Sequence, residues 1–560
     1  MLDTPQTATI GHIASVEGGS ATAVLDAIRP DDDLSVGHLV GIVGRNGMVV
    51  GSIVGMSAGG AMSSEIDFMG EVREYGTEKA YFQRGVSDYP VIGAPVVRLR
   101  SEDITVVHRI HGAETINVGV LRLDETIPAY INFQELLRKH FAILGTTGVG
   151  KSTTVALVLQ EILAKNADLR IFLIDPHNEY GECFGSQAAV ISPSNLSLPF
   201  WLFNFEETVD VIFRGRPGIE EETELLAELI PAAKSKYAAQ SRGESTRLRR
   251  LDNGGYTADT PVPYRVSDLV ALIKDEVGKL ENRSVRLKYH RLIGRIETLG
   301  NDSRYTFMFS NLYVQDIMVD VLSDLFRLRD DGKPITVMHL AGFPAEVVDS
   351  VVSVLCRMAF EFGVWSNGAA PILVACEEAH RYATADRKLG FGPTRKALSR
   401  IAKEGRKYGV YLGAITQRPA DLDPTILSQC STVLAMRLAN ERDKAIIRAA
   451  VPDAGAGLLG FLSSLGNREA IAFGEGVPLP TRIRFHDLPP ERIPSAHVGG
   501  DRPAGHDSVN DDFVGAVVER WRDATTSAAR GRVRVSAADM TDLTELDNGF
   551  GESLLKRRDT

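Results

Sequence analysis

The first hundred residues alternate apolar and polar positions in short runs: Thr9–Ile13, Ala21–Leu25, Leu39–Val43, Val49–Val54 and Val91–Leu99. Breaks such as Arg45-Asn46-Gly47 separate them. Period-two alternation at this spacing predicts half-buried strands of a small β-barrel or sandwich. From about Phe141 the pattern changes. Phe141–Leu144, Arg170–Ile174, Thr336–Leu340, Ile372–Ala375, Val410–Ile415 and Val433–Met436 are nearly continuous apolar runs, with helical patterns between most of them. Strands covered on both faces of a parallel sheet read this way, which makes the fold class α/β. The interval from about Phe205 to Asp331 is too long for a loop. It holds helical patterns at Glu221–Ile230, Val266–Leu280, Ser284–Leu299 and Val314–Leu328, and reads as an inserted helical subdomain. After Phe485 the chain turns polar and rich in Pro and Gly. A helix is expected over Asp512–Asp523 and an extended or disordered end from Thr525 to Thr560.

Composition narrows this picture. With 560 residues, 44% hydrophobic and 24% charged, the chain excludes global disorder and allows several domains. Its 62 Lys and Arg against 73 Asp and Glu give −11, which excludes a uniformly basic coat for nucleic acid but not a basic channel. Cys183, Cys356, Cys376 and Cys430 form no CxxC pair and read as reduced thiols. The N-terminus carries no signal-peptide pattern. The longest apolar stretch, Ala345–Trp365, is interrupted by Asp349, Arg357 and Glu361 and reads as an amphipathic helix. A cytoplasmic protein without membrane contact is expected.

The candidate chemistry begins at the first apolar core strand. Gly145-Thr146-Thr147-Gly148-Val149-Gly150-Lys151-Ser152 fits GxxxxGK[ST] and leads through Thr153 into a helical run. Glycines let successive backbone N–H groups turn toward phosphate oxygens, and a helix N-terminus adds its dipole. Lys151 would reach the β- and γ-phosphates of ATP, and the Ser152 hydroxyl would ligate Mg²⁺. The strand Ile372–Ala375 runs into Glu377 and Glu378. In P-loop ATPases the first such acid holds the Mg²⁺ shell and the second polarises the attacking water. Gln417, at the end of the next strand, admits a γ-phosphate contact or an ordinary polar strand end. Asp175 in Asp175-Pro176-His177 fits either the Mg²⁺ shell or a structural turn. His177 and His380 lack a third partner at metal-ligand spacing, so a zinc site is not expected.

Pro393–Tyr408 is expected to be a short basic helix, with Lys396, Arg400, Lys403 and Lys407 on one stripe and Arg395, Ser399 and Arg406 beside it. It is open to three readings: a solvated face, a nucleic-acid contact, or a source of one Arg for a neighbour's ATP. A second cluster, Lys234, Lys236, Arg242, Arg247, Arg249 and Arg250, reads better as a solvated loop.

In order, HFAILGTTGVGKST (140–153), LIDPHNEY (173–180), LVACEEAHRY (373–382) and EGRKYGVYLGAITQRP (404–419) resemble the HerA family of hexameric DNA-translocating ATPases, relatives of FtsK-type motors. The resemblance implies a RecA-like P-loop core behind a small N-terminal barrel of the HAS-barrel type. The expected domains are 1–110 for the barrel, 111–204 and 332–487 for the two parts of the core, 205–331 for the helical insertion, and 488–560 for a tail that braces a neighbouring subunit. It implies a homo-hexamer with ATP between subunits and DNA through the central channel. Lys151, Ser152, Glu377, Glu378 and Gln417 would serve a subunit's own site. Arg406 would complete the adjacent one, with Arg437 and Arg442 as rivals. The family works with a NurA-type nuclease, and similar bacterial proteins pair with a nuclease or NAD-hydrolase effector in antiphage defence. A ring that only assembles and switches on such an effector is the competing expectation, because it needs the same P-loop. A metabolic kinase is disfavoured, because a hydrolytic acid is present and no acceptor site accompanies it.

Overall fold

The computed structural model describes residues 9–495 apart from 27–33, 45–46, 60, 215, 217, 242–254, 280, 310–313, 330 and 451–452, and also residue 518. Arg242, Arg247, Arg249 and Arg250, the break at Arg45-Asn46 and the expected tail from Thr525 lie outside the described residues. So does the expected helix over Asp512–Asp523, but for residue 518.

Strands β1 (Thr9–Glu17), β2 (Ser20–Leu25), β3 (Leu39–Val43), β4 (Gly47–Gly59), β5 (Ala61–Arg73), β6 (Tyr81–Arg84) and β7 (Pro95–Arg98) form one antiparallel sheet in the order β2-β1-β7-β3-β4-β5-β6. Pairing of β2 with β5 closes six of them into a barrel and leaves β6 outside the ring. Its interior is a separate apolar cluster that includes Ile13, Val40, Ile42, Ile53 and Ile66. Closure removes the free sheet edges that a short antiparallel sheet would otherwise expose.

The second sheet is built from β8 (Thr115–Leu121), β9 (Pro128–Asn132), β10 (Phe141–Leu144), β11 (Arg170–Asp175), β12 (Ala188–Ile191), β13 (Ile335–His339), β14 (Ile372–Cys376), β15 (Val410–Thr416), β16 (Thr432–Met436), β17 (Glu469–Gly474) and β18 (Thr481–Phe485). Their order is β12-β13-β11-β14-β15-β10-β16-β17-β18-β8-β9. From β12 to β16 the pairs are parallel, and from β16 to β9 they are antiparallel. Every residue of β10, β14 and β16 is buried, as their continuous apolar sequence requires. The helix Val348–Trp365 covers the sheet with a long buried face.

The helices Phe205–Phe213, Glu220–Ser241, Val266–Lys279, Arg283–Asn301 and Met318–Leu325 all lie in the crossover between the neighbouring strands β12 and β13. The pattern expected over Val314–Leu328 yields only the shorter helix Met318–Leu325.

The basic helix also differs from expectation. It runs Gly392–Glu404 and gives way to a 3₁₀ turn, Gly405–Tyr408. A Cβ on Gly405 would come within 2.3 Å of the Val410 carbonyl oxygen, and Gly409 at φ 69° closes the turn. Chain reversal into β15 thus ends the helix, so Lys407 leaves its expected stripe and Arg406 the one beside it.

Candidate functional site

Four adjacent parallel strands, β11, β14, β15 and β10, end within two residues of one another in register, β15 and β10 reaching furthest. Beyond their carboxyl ends stand Asp175, Glu377, Gln417 and the loop Gly145–Gly150. Sites in open α/β sheets form at this edge.

The loop folds back because Gly148 (φ 78°) and Gly150 (φ 88°) take left-handed backbone. Gly150 caps the 15-residue helix Lys151–Lys165 without a side-chain cap, so the first helical N–H groups face the loop. A Cβ at Gly150 would meet Arg468 Cγ at 2.7 Å. The loop is tied down by Thr146 N–H donating to the Arg437 carbonyl (3.1 Å), by Arg468 N–H donating to Val149 (2.8 Å), and by Thr147 Oγ1 donating to Gln417 Oε1 (2.5 Å). Thr147 and Gly148 are exposed, and Thr153 is half-buried on the helix.

Lys151 and Glu378 are both buried, and the Lys151 ammonium donates to Glu378 Oε1 at 2.9 Å. Glu378 has φ 50°, a strained backbone for a side chain of this size. His380 Nδ1 lies 3.2 Å from Glu378 Oε2 but bonds the Thr416 hydroxyl at 2.8 Å, so Glu378 Oε2 is buried without a hydrogen-bond partner. Glu377 accepts from the Tyr180 hydroxyl at 3.1 Å through Oε1, while its Oε2 is also buried and unpartnered. Burial pushes the Glu377 carboxyl up to about 8, against the opposing pull of the Lys151 ammonium; Asp175 and Glu179 add to the rise. Ser152 Oγ donates to Glu179 Oε2 at 2.8 Å.

This chemistry fits a divalent cation. Two buried carboxylate oxygens without partners face a site whose charge is mostly negative. Among the described residues no cluster of three or more His, Cys, Asp or Glu side chains makes a ready cage. Mg²⁺ commonly takes one or two protein groups and completes its shell with phosphate and water, so Ser152 and Glu377 suffice.

Asp175 serves its turn: Oδ1 accepts from His177 N–H (3.2 Å) and Oδ2 from Tyr180 N–H (2.9 Å), and His339 Nε2 lies 3.6 Å away. Burial raises its carboxyl as well.

The expected cations lie elsewhere. Arg406 is exposed in the turn before β15, at the opposite edge of the sheet. Seven strand residues at about 3.3 Å each put it roughly 20 Å from Gln417. Arg437 stays beside its own P-loop, bonded to the Leu465 carbonyl (3.3 Å) and Asn467 (3.2 Å). Arg442 is exposed, 3.8 Å from Asp421. Lys396 pairs with Glu206 at 3.1 Å, Arg400 stacks 4.3 Å over Phe360, and Lys403 and Lys407 are exposed.

Glu179, Tyr180, His380 and Thr416 were not singled out as site residues from the sequence. Glu179 and Tyr180 follow the Asp175-Pro176 turn, and that turn's position at the P-loop edge was the available signal. The Thr416–His380 bond joins strand ends that sequence spacing does not relate.

Residues 116–359 match the family described as "Helicase HerA, central domain". "Probable helicase MJECL08" of Methanocaldococcus jannaschii is 26% identical over 71% of this chain and 75% of its own length. "DNA double-strand break repair helicase HerA" of Pyrococcus furiosus is 24% identical over 84% of this chain and 91% of its own. The chain is a P-loop ATPase that is similar to HerA helicases over its central region. Both of these relatives are archaeal and lend no support to the expectation of a bacterial type. Among solved structures, VirB4 of Thermoanaerobacter pseudethanolicus superposes with a TM-score of 0.47 at 17% identity, covering 69% of this chain and 99% of VirB4. Among the described residues no helix is long and apolar enough to cross a membrane.

Proposed function

We propose that this P-loop ATPase is a HerA-type, ATP-driven DNA translocase that works as a ring of six like subunits with DNA in its channel. The observation that carries the reading is the buried Lys151–Glu378 pair beneath a P-loop, in a chain whose relatives are named as DNA-repair helicases.

Lys151 and the N-terminus of the helix Lys151–Lys165 hold the triphosphate. Ser152 and Glu377 would hold Mg²⁺, which would supply positive charge against the triphosphate. The phosphates compete with Glu378 for the Lys151 ammonium, so arrival of nucleotide releases the carboxylate to orient and deprotonate water. The hydrogen bond from Thr147 to Gln417 ties the P-loop to β15, whose far end leads back to Arg406. Arg406 stands too far away to serve its own site, which favours a role in the neighbour's. Lys396, Arg400, Lys403 and Lys407 are offered as DNA contacts on the same basis: they are exposed cations in an acidic chain. A nuclease or NAD-hydrolase partner, in end processing or antiphage defence, completes the proposal.

Glu378→Gln tests it. Nucleotide binding is expected to persist while turnover falls roughly 10²–10⁴-fold. Unchanged turnover in this variant refutes the catalytic assignment. Stimulation of the wild-type ATPase by duplex DNA, falling steeply with salt, supports the motor. Stimulation by a partner protein alone supports the assembling ring.

A further inference from the structure

A second concave site lies within the helical insertion, and neither the ATPase reading nor the basic helix uses it. It is a cavity of about 840 Å³, within the size range of ligand sites. Its wall carries Arg214, Arg216, Arg291 and Arg295 against a single carboxylate, Glu346. Four arginines lining one hollow, in a chain of net charge −11, depart sharply from the charge of the whole.

The local structure builds that convergence. Arg291 and Arg295 stand four residues apart on the helix Arg283–Asn301, and so share a face. Between them Gly294 leaves open space, with nothing within 4 Å of where its Cβ would be. Arg214 ends the helix Phe205–Phe213 in left-handed backbone (φ 53°), which turns the chain so that Arg216 follows into the same wall.

The arginines are not all spent on partners. Arg295 bonds the buried Glu222 and lies 4.8 Å over the Phe213 ring, which fixes its plane. Arg214 has only a loose contact, 3.9 Å, with Asp302. Arg216 and Arg291 have no carboxylate within 4 Å among the described residues. Glu346 is held by Arg304 at 3.4 Å and by the Tyr305 hydroxyl at 3.3 Å.

We infer that this cavity is an anion site, separate from the P-loop, that takes a ligand bearing closely spaced phosphate groups. Guanidinium forks match phosphate oxygens two at a time, and several on one wall favour an oligophosphate over a single carboxylate. The phosphates can belong to a free polyphosphate or nucleotide, or to a nucleic-acid backbone.

The test uses the full chain with its P-loop saturated by a non-hydrolysable ATP analogue. Equilibrium binding of inorganic triphosphate and of a short DNA duplex is measured separately. Arg291→Gln is expected to weaken at least one probe by roughly tenfold, and Arg291→Lys by less than about threefold. Basal ATP turnover should be unchanged in both. Loss confined to triphosphate assigns a free polyphosphate, and loss confined to the duplex assigns a nucleic-acid backbone. Arg216→Gln should repeat the result and guards against a folding defect in the first variant. The inference is overturned if the parent binds neither probe, or if Arg291→Gln and Arg216→Gln bind both as the parent does. Because the P-loop stays occupied, that failure leaves the ATPase reading untouched.

Discussion

The two ends of the parallel strands β10, β14 and β15 obey different rules. At the carboxyl end, Glu377 and Glu378 each keep one buried oxygen without a partner, and Glu378 holds a left-handed backbone. At the amino end, His140 is just as buried but fully satisfied. Its Nδ1 accepts from the Leu412 N–H at 2.9 Å and its Nε2 donates to the Ala402 carbonyl at 2.8 Å. One end carries strain and unmet electrostatic demand that a ligand can satisfy. The other is a closed polar contact that holds the strand beside the basic helix. The contrast separates chemistry from scaffolding on a single sheet.

The sharpest break of that contrast is Lys151→Ala. It removes the ammonium paired with buried Glu378, so ATP hydrolysis is expected to vanish in a steady-state assay. Residual turnover near the parent's would mean that another cation does this work.

Arg406→Ala comes next. If that exposed cation acts across a subunit boundary, turnover falls by on the order of 10³ while nucleotide affinity holds. Mixing Arg406→Ala with Lys151→Ala subunits should then restore some activity, since some boundaries in mixed rings pair an intact P-loop with an intact arginine. Equal loss in Arg437→Ala without loss in Arg406→Ala would move the role to Arg437.

The smallest expected effect tests the closed end. Burial holds the His140 imidazole down at about 4, aided by the nearby Arg406 and opposed by the bond to Ala402. The free group titrates near 6.5, so the unfolded chain binds more protons between those values. Stability contributed by neutral His140 is therefore complete above about 6.5 and lost as pH falls toward 4, by up to about 3 kcal/mol. Buried His108, held down to about 4 by desolvation, adds in the same direction. Melting temperature against pH should fall below 6.5, and less steeply in His140→Gln. An equal slope in that variant would place the acid lability elsewhere.

What could be read in advance follows from how each element is stabilised. The strands β10, β14, β15 and β16 are covered on both faces, so their residues are apolar without interruption and stand out against any background. The P-loop is legible because backbone geometry restricts it to glycine at fixed spacing. β5 escaped because its inward positions include Ser64 and Gly70, which break the alternation. β12 lies at the sheet edge with two positions only half-buried, and its Ala-rich sequence carries less apolar signal than the equally short β10. Glu179 and Tyr180 escaped as site residues because their partners, Ser152 and Glu377, belong to elements distant in sequence. The arginine cavity needs two helices and a turn to meet, and no single window of sequence contains it.

The fixed register of the central strands has one further consequence. Cys376 lies opposite Ala414, and Leu144 opposite Thr416, so strand alignment acts as the ruler that spaces the reactive groups. Sliding β15 by a single residue would set Gln417 in the place of Thr416 and turn its side chain to the other face. Residues such as Leu412 and Val374, which never meet nucleotide, thereby guard the reaction as closely as those that do.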